Sequence, residues 1–452
     1  MSLADGLLEE LVDALAGRVI TEPTSMEAYR RDQCLVAVAG RPLAVVRAGD
    51  AADVVTVLTI ADQHAAPVVI RGAGTGLAGA ANALDGCIVL DVSRLTALTI
   101  DPVARTATVG PGVLNADLDA AAREHGLFYA PDPGSRAISS IGGNIATNAG
   151  GMCCAKYGVT ADHTLALTVV LAGGETIRTG RATHKDVAGL DLTRLVVGSE
   201  GTLGVVVEAT VRLLPASPGT ATAALTFPTV AAAVEAVLAI ERVARPSAVE
   251  LMDETTVRAV NLMTRMGLDE VPTLLVVTDG SDHAAEIAAV VEVAAAHGAL
   301  AAFHTDDTDE GTALMEARRV ALTALERLGT TLLDDVCVPI HRLPDLEARI
   351  AKAAAEHGVT VGVFGHAADG NLHPTIVYDA TEAGAAERAY ACFDQIVLAA
   401  IDLGGTVSGE HGIGSLKIDY LERQVGAAER ALMHRIKTAF DPSGILNPGR
   451  GY

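Results

Sequence analysis

The sequence predicts an α+β protein built from two domains of different pattern. Its 452 residues are about three times the length of a typical domain. Between residues 42 and 214, short Val- and Ile-rich runs alternate with glycines, as in strands joined by tight turns. From residue 221 to about residue 403, strand-like runs alternate with longer helical segments, which is typical of a separate α+β domain.

The composition indicates a folded protein with an aliphatic core. Half of the residues are hydrophobic, Trp is absent and mean hydropathy is +0.35. The net charge of −23 argues against nucleic acid or anionic lipid as a partner, because both require basic surface. An anionic substrate therefore needs local positive charge. The six cysteines form no CxxC pair, which disfavours an iron–sulfur cluster.

No segment predicts a signal peptide or a transmembrane span. Several acidic residues precede the first basic residue, Arg18, which is the reverse of the charge order in a signal peptide. The most apolar long stretch, Ile287 to Phe303, is interrupted by Glu292 and His297. We therefore expect a cytoplasmic protein; peripheral contact with a membrane through an electron acceptor is left open.

Each part contains recognisable elements. The first part predicts helices at Asp50–His64 and Leu114–His125, and Pro215–Gly219 is a plausible linker. In the second part the helical segments are Val230–Val243, His283–Gly298, Leu314–Arg327 and Leu346–Gly358, and the strand-like runs include Asp335–Ile340 and Thr360–His366. A last helix is predicted at Ala427–Phe440.

A glycine-rich loop, RGAGTGLAG at Arg71–Gly79, follows the apolar run Pro67–Ile70. Although it contains G-x-G-x-x-G, the Rossmann fold requires a helix next, and here another strand-like run, Cys87–Val92, follows. A glycine-lined loop between strands can still present backbone N–H groups to a pyrophosphate. The alternative is an ordinary glycine-rich turn.

Further segments rich in small residues occur along the chain. They are PDPG at Pro131–Gly134, SIGGNIATNAGG at Ser140–Gly151, VGSEGTLG at Val197–Gly204 and ILNPG at Ile445–Gly449. Excluding bulky side chains along a path allows a long, flat ligand to lie against the backbone. Each segment alone is equally consistent with turn chemistry.

Together and in this order, the segments resemble the FAD domain of the vanillyl-alcohol-oxidase (p-cresol methylhydroxylase-type) superfamily. The resemblance spans essentially the whole chain. It implies FAD contacts at Arg71, Gly72, Ala73, Gly74, Thr75, Gly76, Leu77, Pro133, Ser140, Gly143, Asn144, Thr147, Gly150, Glu200, Gly201, Gly204, Val205 and Asn447. Some members attach flavin to a His in the pyrophosphate loop. No His lies in Arg71–Gly79, so we expect non-covalent FAD.

A second constellation combines two histidines with a Glu-His pair. His366 and His373 are seven residues apart across an Asp-Gly-Asn turn, a spacing that a hairpin could bring to one centre. Glu410 and His411 are adjacent in the glycine-flanked segment SGEHGIG. Two imidazoles and a carboxylate suffice to bind Zn²⁺ or a similar divalent ion with a position open for substrate. The alternative is that these histidines are ordinary core or surface residues.

GHAADGNLHP and SGEHGIG resemble signatures of the FAD-linked D-2-hydroxyacid dehydrogenases, which include D-lactate dehydrogenase, the glycolate oxidase D subunit and D-2-hydroxyglutarate dehydrogenase. This resemblance implies that His366, His373 and Glu410 bind the metal and that His411 acts as the base. Ala368 stands where the family usually has glycine, which puts only the local turn in doubt.

Recognition of a substrate carboxylate requires an arginine, for which Arg318 and Arg319 are the candidates. Both precede the DVCVP segment, where the family carries an arginine, and Arg318 aligns better. A solvated helix face is the alternative for either residue. Leu333 occupies the position of a lysine expected in the hydroxyglutarate type, which favours D-lactate or glycolate.

The resemblance therefore implies FAD-dependent, metal-assisted oxidation of a D-2-hydroxyacid to the 2-oxoacid. Such a reaction needs a proton taken from the hydroxyl and a hydride moved from C2 to flavin N5. The implied architecture is a FAD-binding domain at residues 1–217, an α+β (ferredoxin-like) substrate or cap domain at 218–403, and a C-terminal FAD-associated segment at 404–452.

Several alternatives stay open. D-2-hydroxyglutarate is the second choice of substrate. A non-redox enzyme similar to alkyl-glycerone-phosphate synthase and, more distantly, a metal hydrolase are the rival functions. The electron acceptor is a quinone, a cytochrome, an electron-transfer flavoprotein or oxygen, and a homodimer is left open.

Overall fold

The computed structural model describes residues 3–34, 36–183 and 185–452, which divide into two compact units. The first unit comprises the described residues of Met1–Gly150, Gly158–Ala216 and Glu410–Tyr452. The second comprises Gly151–Tyr157 and Ser217–Gly409. The sequence gives no sign that the short segment Gly151–Tyr157 belongs to the second unit.

The regular elements are as follows. In chain order the helices are α1 (Leu3–Ala14), α2 (Pro23–Met26), α3 (Ala51–Gln63), α4 (Asn115–Arg123), α5 (Ile141–Thr147), α6 (Cys154–Tyr157), α7 (Thr160–His163), α8 (Leu192–Val196), α9 (Val230–Ile240), α10 (Glu254–Thr264), α11 (His283–Ala296), α12 (Thr308–Arg319), α13 (Ala321–Glu326), α14 (Leu343–His357), α15 (Ala385–Asp402), α16 (Ile418–Val425) and α17 (Ala427–Phe440). The strands are β1 (Val19–Ile20), β2 (Ala44–Arg47), β3 (Val68–Arg71), β4 (Ile88–Asp91), β5 (Leu98–Asp101), β6 (Thr106–Val109), β7 (Leu127–Phe128), β8 (Thr164–Val170), β9 (Thr176–Gly180), β10 (Val205–Arg212), β11 (Leu214–Pro215), β12 (Ala221–Thr226), β13 (Ala248–Met252), β14 (Thr273–Thr278), β15 (Ala301–Thr305), β16 (Thr330–Leu333), β17 (Val336–Cys337), β18 (Thr360–His366) and β19 (Asn371–Tyr378).

The first unit contains two larger sheets. One has the order β1-β2-β4-β3, in which β2 and β3 both run parallel to β4. The other is antiparallel, with the order β5-β6-β10-β8-β9. A buried apolar cluster lies between the first sheet and helices α1 and α3, and a second cluster packs α4 and α5 against the antiparallel sheet. These cores support the loops that leave β3 and precede β10.

The second unit is organised around one antiparallel sheet with the order β15-β12-β14-β13-β18-β19-β16, and β17 also pairs with β19. The central strand β13 is buried along its whole length. It pairs with β18 so that Glu250 lies opposite His366. A charged residue and a histidine therefore meet inside the sheet.

Side-chain caps define where several helices begin. Asp50 accepts a hydrogen bond from the backbone N–H of Asp53 at the start of α3, and Thr229 caps α9 in the same way. Asp253 accepts from Thr256 N–H at 2.8 Å and begins α10 immediately after β13. These bonds satisfy helix N–H groups that have no partner within the helix.

Two predicted elements differ from the structure. The strand expected at Asp335–Ile340 is limited to Val336–Cys337, because Pro339 has no N–H to continue the ladder and a 3-10 turn follows. The helix expected at Leu314–Arg327 is two helices, α12 and α13, since Val320 leaves helical geometry at φ −90° and ψ 0°. Within the described residues, no helix is long and apolar enough to cross a membrane.

Candidate active site

The glycine-rich loop lies in the first unit, where it leaves β3 and leads to the parallel strand β4. Ala73 of this loop and Ser140, at the start of α5, both line a cavity of about 430 Å³. Gly112 and Val113 from the turn after β6 line the same cavity. Two of the segments predicted to contact FAD therefore converge on one cavity.

Close packing explains the small residues in these segments. A Cβ on Gly72 would lie 2.5 Å from the Ser140 hydroxyl oxygen, and one on Gly142 would lie 2.4 Å from the Cβ of Pro111. Gly74 has φ +73°, a conformation that favours glycine. At Gly72 the loop backbone can approach α5 only because no side chain is present, so the loop and the start of α5 form a cradle. A pyrophosphate site between strands would require such a close backbone approach.

Arg71 does not direct its guanidinium outward from this loop. The Nη1 atom donates to the carbonyl of Arg31 at 2.8 Å, and the side chain is buried. Burial lowers the pKa of Arg71, and the charges of Asp32 and Asp91 oppose that shift. Arg71 therefore holds the segment near residue 31 beside the loop.

The predicted residues on α5 are held by local hydrogen bonds. Ser140 caps the helix by accepting from Gly143 N–H, and its hydroxyl also accepts from Ala73 N–H, both at 3.4 Å. Asn144 is buried and donates to the Ser139 hydroxyl at 3.2 Å. Thr147 donates to the carbonyl of Gly143. The same helix N-terminus thus contacts the glycine-rich loop and lines the cavity.

Glu200 and Asn447 connect the remaining predicted segments. Asn447 donates to the Glu200 carbonyl at 2.6 Å and accepts from Ile70 N–H at 2.9 Å, so it joins the end of β3 to the VGSEGTLG segment. The Glu200 carboxylate accepts from Gly414 N–H at 2.9 Å. Burial raises the pKa of Glu200 to about 7, against the lowering effect of these hydrogen bonds and of Arg450.

The other predicted FAD contacts lie in the same unit. In the glycine-rich loop, the half-buried residues are Thr75, Gly76 and Leu77. Pro133 and Gly150 are buried. Gly201 and Gly204 precede β10, which begins at Val205. All of the predicted FAD contacts therefore belong to the first unit. Their contact with FAD stays a prediction.

The second unit brings His366 and His373 together. The predicted hairpin is present: β18 and β19 pair so that Phe364 lies opposite His373 and His366 lies opposite Asn371. Both imidazoles are buried, and their Nε2 atoms lie 3.4 Å apart. Two nitrogens bound to a tetrahedral Zn²⁺ at its usual bond length are about 3.3 Å apart. The pair therefore fits a divalent metal of this kind.

Each imidazole has a buried carboxylate at its Nδ1 side. Glu250 Oε1 accepts from His366 Nδ1–H at 2.7 Å. Asp335 Oδ1 lies 3.8 Å from His373 Nδ1, and Asp335 is held by Asn371 Nδ2 and by the Ser408 hydroxyl, each at 2.7 Å. Such carboxylates commonly orient metal-binding histidines.

The two candidate arginines have different environments. Arg318 is buried, with its Nε 2.6 Å from Glu250 Oε2 and its guanidinium carbon 4.6 Å above the Phe364 ring. Arg319 is much more exposed and pairs with Glu316 on its own helix. The structure therefore places Arg318, and not Arg319, in the cluster with the two histidines.

Glu250 is the residue that sequence reasoning missed. Burial alone would raise its pKa, but His366 and Arg318 outweigh burial and hold the pKa below its usual value. The available signal was a single charged residue within the apolar run Ala248–Met252. The sequence places Asp335 only at the start of a strand-like run, yet this residue is fully buried beside His373.

Glu410 and His411 begin the last segment of the first unit. His411 Nε2 lies 4.0 Å from Glu410 Oε1. Three residues after His411, Gly414 N–H donates to Glu200. His411 is therefore close in sequence to a residue that contacts one of the predicted FAD segments. In the second unit, the Ser408 hydroxyl donates to Asp335.

Known protein families match both the N-terminal and the C-terminal part of the chain. The family described as "FAD binding domain" matches residues 42–180, and the family described as "FAD linked oxidases, C-terminal domain" matches residues 217–450. Among solved structures, p-cresol methylhydroxylase with substrate bound has a TM-score of 0.82 at 19% identity, covering 99% of this chain and 96% of that chain. Alkyldihydroxyacetonephosphate synthase has a TM-score of 0.76 at 17% identity, covering 98% and 85%. These likenesses confirm the p-cresol methylhydroxylase-type fold.

The matched domains define the class of the protein as a FAD-linked oxidoreductase. The chain is 40% identical to "Glycolate oxidase subunit GlcD" of Bacillus subtilis (strain 168), covering 98% of this chain and 94% of the relative. It is 36% identical to "D-lactate dehydrogenase" of Archaeoglobus fulgidus, covering 97% and 98%. The chain belongs to the family of FAD-linked oxidases that includes these two proteins.

Proposed function

We propose that this enzyme oxidises a D-2-hydroxyacid, D-lactate or glycolate, to the corresponding 2-oxoacid. The relatives named glycolate oxidase subunit and D-lactate dehydrogenase support this class of substrate. The observation that carries the proposal is the buried cluster in which His366 and His373 face each other beside Arg318. A hydroxyl group and a carboxylate on adjacent carbons are the groups that such a cluster can bind.

Arg318 is the proposed partner of the substrate carboxylate. Its Nε forms an ion pair with Glu250 at 2.6 Å, and within the described part of the chain the guanidinium makes no hydrogen bond. A planar guanidinium can therefore offer its terminal N–H groups to a second carboxylate in bidentate geometry. It also supplies local positive charge in a protein whose net charge is −23.

His366, His373 and Glu410 are the proposed ligands of a divalent metal, with Zn²⁺ the first candidate. The fit rests on the 3.4 Å separation of the two imidazole nitrogens. Glu410 would supply the carboxylate that completes a set of two imidazoles and one carboxylate. A metal bound there would polarise the substrate hydroxyl and lower its pKa.

His411 is the proposed general base that takes the hydroxyl proton. Imidazole is the side chain best suited to accept a proton near neutral pH. His411 lies three residues before Gly414, whose N–H donates to Glu200 in one of the predicted FAD segments. When bound, FAD supplies the hydride acceptor that no side chain can provide. The cradle at Gly72, Gly74 and Ser140 is the proposed pyrophosphate site, with FAD bound non-covalently.

Reoxidation requires a separate electron acceptor, which we infer to be a quinone, a cytochrome, an electron-transfer flavoprotein or oxygen. One relative, from Arabidopsis thaliana, is named "D-lactate dehydrogenase [cytochrome], mitochondrial", and this chain is 33% identical to it over 88% of its own length and 71% of that protein. Cytoplasmic location, membrane contact through the acceptor and a homodimer stay predictions.

The proposal is tested by adding D-lactate, glycolate and D-2-hydroxyglutarate separately to the purified protein without oxygen. Loss of the oxidised flavin absorbance with D-lactate or glycolate supports it, and His411→Ala should slow that loss at least about 100-fold. His125→Ala, at an exposed position of the first unit in the turn between α4 and β7, is the control. Flavin reduction by D-2-hydroxyglutarate alone would contradict the substrate assignment, and an unchanged rate in His411→Ala would contradict the assigned base.

A further inference from the structure

Glu250 is a fully buried carboxylate whose two oxygens contact different partners. Its Oε1 accepts from His366 Nδ1–H at 2.7 Å, and its Oε2 lies 2.6 Å from Arg318 Nε. The residue is at the centre of the sheet on β13, among apolar neighbours on both sides in sequence. Burying a charge there is costly unless both oxygens are used.

The first contact determines which nitrogen of His366 faces Glu250 and which faces His373. Since the ionised Glu250 can only accept, Nδ1 is the donor of His366 in this contact, and in a neutral imidazole Nε2, which faces His373, is then the nitrogen that can bind a metal. A different tautomer would place a proton where a metal must bind. Glu250 therefore orients His366 with its Nε2 toward His373, as a shared metal would require.

The second contact determines the direction of Arg318. Its Nε forms an ion pair with Glu250 Oε2, and its guanidinium carbon lies 4.6 Å from the centre of the Phe364 ring, so the two contacts together restrict where the guanidinium can lie. The terminal nitrogens are then presented in a fixed orientation, as bidentate binding of a carboxylate requires. Without Glu250 the arginine would retain only the ring contact.

We propose that Glu250 is a positioning residue that orients the metal ligand His366 and the carboxylate-binding Arg318 together. This inference rests on the proposed function. It adds that metal affinity and affinity for the anionic substrate depend on one buried carboxylate. A merely structural role, in which Glu250 only neutralises charge inside the sheet, predicts a loss of stability with no specific loss of either affinity.

The test uses the full-length enzyme with its FAD. Glu250→Gln keeps the size but removes the charge, and Glu250→Asp keeps the charge on a shorter side chain. Asp253→Asn removes a half-buried carboxylate of the same unit, three residues away, and is the matched control. The measurements are the affinity for Zn²⁺, added to metal-free protein against a competing chelator, and the KM and kcat for D-lactate with an artificial electron acceptor.

Glu250→Gln is expected to weaken Zn²⁺ binding about 10- to 100-fold and to raise KM at least about tenfold, while FAD content stays unchanged. Glu250→Asp is expected to recover part of both losses. The proposal is overturned if Glu250→Gln binds Zn²⁺ and D-lactate as the wild type does, or if Asp253→Asn shows equal losses. If Glu250→Gln fails to fold, Glu250→Asp decides by the same two measurements.

The two proposals can fail separately. If the wild type oxidises D-lactate without taking up Zn²⁺, the metal in the proposed function is wrong. The KM of Glu250→Gln, measured on that metal-free enzyme, then decides whether Glu250 positions Arg318. An unchanged KM in that case would overturn the inference as well.

Discussion

His366 and His373 face each other across the β18–β19 hairpin with their Nε2 atoms 3.4 Å apart. This separation matches the distance between two nitrogen ligands of one tetrahedral metal ion. Buried carboxylates lie at the Nδ1 side of both rings, Glu250 behind His366 and Asp335 behind His373. The hairpin thus presents two oriented imidazoles at one point inside the second unit.

Replacing one of these imidazoles should abolish metal binding. We expect His373→Gln to weaken Zn²⁺ binding by more than about 100-fold, because a direct ligand is lost and not only an orienting contact. His357→Gln is the matched control, since His357 lies at the end of α14 and contacts Gln395. Zn²⁺ affinity is measured by competition with a chelator. Equal affinity in His373→Gln and the wild type would contradict the site.

The neighbouring arginines should differ in their effect on substrate binding. Arg318→Lys is expected to raise KM for the hydroxyacid at least about tenfold, because lysine cannot retain both the Glu250 contact and a bidentate carboxylate contact. Arg319→Lys, at the more exposed position, should leave KM unchanged. Steady-state kinetics with a fixed acceptor concentration give both values. If the two variants have the same KM, Arg318 does not bind the substrate.

Close packing between Gly72 and Ser140 predicts that a substitution at Gly72 weakens FAD binding and that a second substitution at Ser140 restores part of it. Gly72→Ala places a Cβ 2.5 Å from the Ser140 hydroxyl oxygen, so that side chain must leave its position at the start of α5. We expect the variant to retain much less FAD after dialysis, as measured by flavin absorbance per protein. Adding Ser140→Ala removes the obstructing oxygen at a cost of about 1 kcal/mol for the lost cap. The double variant should therefore hold more FAD than Gly72→Ala, and an equal or lower content would refute this explanation.

Local sequence patterns predicted many elements well. Helix α17 coincides with the predicted Ala427–Phe440, and β18 coincides with Thr360–His366. Both follow from periodicity and from nearby glycines or turn residues, which act within a few positions along the chain. The apolar run at Asp335–Ile340 predicts a longer strand than Val336–Cys337, because Pro339 within that run has no N–H to donate to the ladder.

The candidate site could be predicted only in part. The Asp-Gly-Asn turn indicated that His366 and His373 meet, since seven residues form one hairpin. The role of Glu250 depends on the register between β13 and β18, which joins residues 116 positions apart. Likewise, the choice between Arg318 and Arg319 depends on which face of α12 is buried against the sheet. Such long-range pairings leave no short motif in one sequence.

The half-buried helix cap Asp253 predicts a pH dependence of stability that is separate from activity. Burial raises its pKa from 3.8 to about 6, although hydrogen bonds from Thr256 oppose the shift. A carboxyl group with a raised pKa in the folded state stabilises the protein fully below its unfolded pKa, and that contribution is lost as the pH rises through about 6. Between pH 3.8 and about pH 6, this carboxyl group lowers the free energy of unfolding by about 3 kcal/mol.

Asp253→Asn should therefore be more stable than the wild type at pH 8, with a smaller advantage at pH 4.5. The amide can still accept the hydrogen bond from Thr256 N–H that begins α10, but it never becomes charged. Urea unfolding of both proteins at the two pH values measures the difference. Asp379→Asn, in an exposed turn after β19, is the control, because its carboxyl group has a lowered pKa and should not reproduce this gain at pH 8. An advantage of Asp253→Asn that does not change with pH would show that its carboxyl group ionises normally in the folded protein.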